Sequence, residues 1–225
     1  TKLAGEATYF LPFNKGDDGR AGNPVNPESS KTSYLWEDVF QRDNWLQIIG
    51  RFMHLSIEDV IDPVTGVKER KESLLFPRYH QWQSVTRLVE AARSEGPGYK
   101  YLIQHSAGSG KTNSIAWTAH QLSTLHSESG SKVFDSVIVV TDRNVLDAQL
   151  RDAIKQIDND AGIVVAIDRA EVAKSGDIRS KSGLLAKALL DGKLIIVVTI
   201  QTFPFAMAEI RKNKGLKGKR FAVIA

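Results

Sequence analysis

No cysteine occurs among the 225 residues. That absence excludes a disulfide framework, a thiolate metal centre and a cysteine nucleophile. The five histidines stand at no recognisable metal-ligand spacing. Long apolar runs are lacking too: Leu194–Val198 is strand-sized, far short of the ~20 residues that span a bilayer. A charged stretch leading into an apolar one, the pattern of a secretory signal, is not seen. There is no internal repeat and no long low-complexity tract. These absences lead to the expectation of a cytoplasmic protein.

What is present suits a soluble globular chain: 42% hydrophobic and 25% charged residues, with length for one large domain, or one domain plus an arm. Charge is unevenly distributed. Residues 1–75 hold 9 Lys+Arg and 12 Asp+Glu, a net of −3, and residues 76–225 hold 21 and 14, a net of +7. A basic half suits a polyanion such as nucleic acid or nucleotide, and an ordinary solvated surface explains it as well.

The first 75 residues read as an irregular, partly helical arm. Residues 14–30, rich in Gly, Asn, Pro and Asp, predict a long loop with several turns. Leu35, Trp36, Val39, Phe40, Trp45, Ile48, Ile49 and Phe52 keep near-helical spacing broken around Asp43, which predicts one or two helices. Asp62–Gly66 reads as a turn between short extended pieces. From Phe76 strands and helices alternate. Helices are expected over 79–93, 111–126, 144–157, 181–190 and 201–211. Strands are expected over 99–105, 136–141, 163–167, 194–199 and 221–225. Near-continuous Val/Ile runs point to strands buried on both faces, hence a parallel sheet with helices on each side. Residues 76–225 are therefore expected to form a doubly wound α/β domain.

Ser106-Ala107-Gly108-Ser109-Gly110-Lys111-Thr112 falls between an expected strand and an expected helix. Glycines let backbone N–H groups curl around phosphate oxygens without Cβ clashes. The helix N-terminus adds unpaired donors and partial positive charge. Lys111 is placed to reach the β- and γ-phosphates of ATP, and the Thr112 hydroxyl to coordinate Mg²⁺. The first glycine of the usual phosphate-loop pattern is replaced by His105. Upstream, Gln81 carries an amide that can both donate and accept, as the adenine edge requires. Alone, it reads as a surface glutamine.

Phe76-Pro77-Arg78-Tyr79-His80-Gln81, followed by Tyr101 through Ile115, resembles the R subunit of type I restriction-modification enzymes. The likeness extends through Val139–Arg143, Leu146–Leu150 and 195–203. It also includes Phe10–Gly16, Ala21–Pro24 and Thr32–Glu37, which resemble the segment joining nuclease to motor. In that family the phosphate loop tolerates His105. The resemblance implies a RecA-like, P-loop lobe of a superfamily 2 double-stranded DNA translocase. Its partners are methyltransferase and specificity subunits, and translocation precedes endonucleolytic cleavage. It assigns Gln81, with Arg78, to the nucleotide, and Thr141, Arg143, Thr199 and Gln201 to the DNA track. Sites at the carboxyl ends of strands suit an open α/β sheet, although the threonines and Gln201 equally suit local turns. The resemblance further implies that an Asp-Glu-x-His segment and a second lobe lie beyond Ala225. Without them the chain is expected to bind nucleotide weakly and not to turn it over.

Two features need weighing. Asp62-Pro63 with Glu69-Arg70-Lys71 imitates an Asp…Glu-x-Lys nuclease site, but a solvated charged turn is the simpler reading. Residues 211–220 hold six cations in ten positions. They read as DNA-phosphate contacts or, slightly better, as a mobile solvated connection. Competing with the restriction motor are a general superfamily 2 helicase, a small-molecule P-loop kinase and a non-catalytic docking module. The segment Phe10–Glu37 argues against a general helicase, residues 113–225 show no clear kinase lid, and the intact Lys111-Thr112 pair argues against a vestigial loop.

Overall fold

The computed structural model describes residues 13–63, 65–142, 144–157, 163–167, 169–176 and 180–225. The chain divides into two compact units, Thr1–Ser84 and Val85–Ala225.

In the first unit Val39, Ile48 and Phe52 are buried with Tyr34, Tyr79 and Trp82. The expected helical stretch is a π-helical turn at Leu35–Val39, then helix α1 at Arg42–Arg51. At the break the Asn44 amide donates to the Asp38 carbonyl (2.9 Å) and carboxylate (3.0 Å), occupying a backbone acceptor that a continuous helix would have used. Strands β1 (His54–Ile61) and β2 (Lys68–Leu75) form an antiparallel hairpin, in register from His54↔Leu75 to Ile61↔Lys68. Asp62 closes its turn: the carboxylate accepts from the Thr65 N–H (3.0 Å) and the carbonyl from the Gly66 N–H (2.8 Å). The nuclease-like Asp62 is thus a turn former, and among the described residues no cluster of three metal-binding side chains exists. Within the 14–30 loop Gly16 and Gly22 are tied at 2.9 Å, and the Lys15 ammonium lies 5.6 Å and 5.8 Å from the Tyr34 and Tyr79 rings.

Helix α2 (Tyr79–Glu95) crosses from the first unit into the second. There follow α3 (Lys111–Ser123), β3 (Ser136–Thr141), α4 (Asn144–Ile157), β4 (Val164–Ala166), α5 (Arg169–Lys174), α6 (Lys181–Leu190), β5 (Ile195–Thr199), α7 (Phe203–Lys212) and β6 (Phe221–Ile224). The sheet is parallel, in order β4-β5-β3-β6. Side chains alternate across it. Ile138, Ile196 and Val198 pack with Leu185, Ala188, Leu189 and Leu216 on one face, while α3 and α4 cover the other, against Val137, Val139, Ile195 and Val197. Burial on both faces is why these strands are apolar runs rather than alternating ones. The doubly wound α/β architecture is as the sequence led one to expect.

One expected element is missing. Residues 99–105 are not a strand: they run irregularly, with Leu102 91% exposed. Strand propensity needs a ladder partner to be realised. The segment lies beside β6, an edge strand, across a cavity of about 640 Å³ that it lines together with Phe221–Ala225. It leaves α2 through Gly96-Pro97-Gly98, where both glycines take positive φ (+76° and +112°), a turn that sets its direction before any pairing begins. Helix α5 was not anticipated.

Candidate nucleotide-binding site

Ser106–Gly110 is a tight loop opening directly into α3. Gly108 (φ +73°) and Gly110 (φ +80°) hold left-handed conformations that an L side chain adopts only under strain. Gly110 is the N-cap of α3, and its carbonyl accepts from the Asn113 N–H at 3.1 Å. The N–H groups of Lys111 and Thr112, ahead of Asn113 on the first turn, lack intrahelical acceptors by construction. The exposed Lys111 ammonium turns back over the loop, donating to the carbonyls of Ser106 (2.8 Å) and His105 (3.2 Å). Thr112 follows on the first turn, half-buried, and Ser109 is buried beneath the loop while Ala107 and Gly108 face outward.

These features fit a polyphosphate. A cation and a ring of N–H donors converge on a loop whose glycines leave no Cβ in the way. The carbonyls now holding Lys111 are neutral acceptors, and a phosphate oxygen would set a full opposite charge against the ammonium in their place. Two other candidates, Gln81 and Arg78, belong to the first unit, at the start of α2. Gln81 is 4% exposed, and its amide oxygen accepts from the Arg78 N–H at 2.8 Å, while its own N–H donates to the Arg78 carbonyl at 3.0 Å. The pair caps the helix reciprocally, so the glutamine is not the surface side chain it reads as in isolation.

At the carboxyl ends of the sheet Thr141 and Thr199 are ladder partners, both buried. The Ile200 N–H donates to the Thr141 carbonyl at 2.8 Å. Thr199 and Thr202 hydroxyls share a hydrogen bond of 3.1 Å, a contact that sequence reasoning missed although the i, i+3 spacing of two threonines after a strand was there to find. Gln201 is exposed in this turn. Arg143 lies outside the described residues.

A glycine loop opening a helix packed on a four-stranded parallel sheet, with polar groups at its strand ends, is the arrangement of a RecA-like lobe. Residues 80–224, well over half the chain, match the family model for the SWI2/SNF2 ATPase, and the chain belongs to that family. No curated protein matches it. No helix among the described residues is long and apolar enough to cross a membrane.

Proposed function

We propose that this chain is the ATP-binding motor lobe of the R subunit of a type I restriction enzyme. The intact enzyme hydrolyses ATP to translocate double-stranded DNA before endonucleolytic cleavage, together with methyltransferase and specificity subunits. The observation that carries the motor reading is the loop itself: Lys111 folded onto the His105 and Ser106 carbonyls at the mouth of α3. The restriction assignment rests on the long sequence resemblance, including Phe10–Glu37.

In this reading Ser106–Thr112 holds the triphosphate, Lys111 balances its charge and Thr112 takes the Mg²⁺, with Gln81 and Arg78 at the adenine. ATP and Mg²⁺ supply the phosphoryl transfer, and this chain's part is to position and to neutralise charge. Thr141, Arg143, Thr199 and Gln201 are the residues this reading assigns to the DNA track.

A second reading, a general superfamily 2 translocase, is favoured by the breadth of the SWI2/SNF2 match. ATP hydrolysis by the intact enzyme with its partner subunits, on unmethylated and methylated target DNA, separates the two. The restriction motor is expected to need unmethylated target, and Lys111→Ala to lower hydrolysis by at least two orders of magnitude. Equal hydrolysis on both DNAs favours the general translocase, and equal hydrolysis by wild type and variant sinks the phosphate-loop assignment.

A further inference from the structure

The cation-rich stretch 211–220 is not a loose connection. After α7 the Asn213 side chain accepts from the Gly215 N–H at 3.0 Å and caps a 3₁₀ turn over Lys214–Leu216. Leu216 is 3% exposed and seated in the core cluster with Ile138, Leu185 and Ile196. Gly215 packs so closely that a Cβ there would lie 3.0 Å from Leu190 Cδ2. The Lys217 and Lys219 N–H groups donate to the carbonyls of Lys214 and Leu216, both at 3.2 Å. Every other residue of the stretch can face water, yet the backbone beneath is pinned.

A second segment brings another cation to the same place. The Asp135 N–H donates to the Arg220 carbonyl at 2.7 Å, the Arg220 N–H donates to the Asp135 carboxylate at 2.8 Å, and the Arg220 guanidinium donates to the Lys132 carbonyl. Lys132 thus sits with Lys219 and Arg220. Burial holds its ammonium below the ordinary lysine range, the Asp135 carboxylate opposes that, and the Lys219 charge adds to it. Among the described residues, Asp135 is the carboxylate the contacts show there. Among the described residues no ion pair engages Lys214, Lys217 or Lys219. Like charges gathered on a pinned backbone repel one another, and a polyanion relieves that repulsion.

We propose that Lys132, Lys214, Lys217, Lys219 and Arg220 form a second contact for duplex DNA, gripping its phosphates at the amino ends of the strands without reading sequence. This surface precedes Ser136 of β3 and Phe221 of β6. At about 3.3 Å per residue it lies about 17 Å from the Thr141 end of β3, so it is separate from the track at the carboxyl ends. A lipid surface is the poorer occupant, because the stretch's only large apolar residue, Leu216, points into the core and nothing is left to enter acyl chains. Gly218, exposed at φ +85°, brings backbone to the surface between Lys217 and Lys219. The proposal rests on the DNA-translocase reading.

The test compares the intact protein with its Lys214→Ala/Lys217→Ala/Lys219→Ala variant for binding to a random-sequence duplex across a KCl series. Each lost phosphate contact removes roughly 0.9 from the slope of log K against log salt, so a slope shallower by about 2 to 3 is expected. The same loss should appear on target and random duplex, and a triple Lys→Arg variant should restore the wild-type slope. Retained stabilisation by nucleotide shows that the variant is folded. An unchanged slope, with wild type binding DNA, overturns the surface while leaving the motor intact. Loss of binding to vesicles of 30% phosphatidylserine, with DNA binding unaltered, overturns it in favour of a membrane. Wild type that binds no DNA at all overturns the translocase reading beneath it.

Discussion

Lys111 and His54 show how single side chains couple this fold to its solution conditions. The Lys111 ammonium rests on two loop carbonyls, and the proposed function has a triphosphate take their place by setting full negative charge against it. His54 begins β1, its Nδ1 3.1 Å from the Phe52 carbonyl. Burial holds its imidazole below the ordinary value of 6.5, and the bond to Phe52 only partly offsets this. The unfolded chain therefore binds the His54 proton more readily than the folded one. Stability is full above about 6.5 and declines as pH falls from there through the depressed folded value. Denaturant midpoints measured from pH 8 to 5 should fall across that window in wild type and fall less in His54→Gln. A slope identical in both would remove His54 from the account.

At the scale of elements, the second unit is held by strands buried on both faces and by helices with defined starts. The Ser180 hydroxyl accepts from the Gly183 N–H at 3.1 Å and caps α6. Ser180→Ala is expected to cost about 1 kcal/mol, the ordinary value of an N-cap. Ile196, fully buried in β5 among Leu185, Leu189 and Leu216, should cost about 2–5 kcal/mol as alanine, because transfer and cavity terms add. Denaturant unfolding of the two variants checks the ranking; a Ser180→Ala change larger than Ile196→Ala would mean that helix capping, rather than the layered core, limits stability. The segment 99–105 makes the complementary point: its residues suit a strand, but β6 presents its edge across a cavity instead of a ladder.

For the whole molecule, nucleotide binding and folding are linked, because a ligand that binds only the folded loop stabilises it. At 100 times its Kd, ATP–Mg²⁺ should add about 2.7 kcal/mol, seen as a rise in Tm that Lys111→Ala abolishes. A rise that persists in the variant would move the nucleotide to another site. The charge asymmetry read along the chain also gains meaning at this scale. Three of the second unit's cations, Lys132, Lys219 and Arg220, come from two distant segments tied together at one end of the sheet, while the phosphate loop opens α3 elsewhere.

Local chemistry alone determined much of this protein. Val/Ile runs marked β3 and β5, Gly108 and Gly110 marked the tight loop that opens α3 through the backbone angles they permit, and Asp62 with Gly66 marked the hairpin turn. Each depends on interactions among residues near in sequence, so pattern and propensity carry it. Tertiary structure alone decided whether 99–105 found a partner strand and that the 211–220 stretch is pinned by Leu216 and Asp135. Those outcomes turn on burial and on contacts between segments as far apart as residues 132 and 220. Hydrogen bonds and packing at such separations follow from the topology of the sheet, which no local pattern encodes.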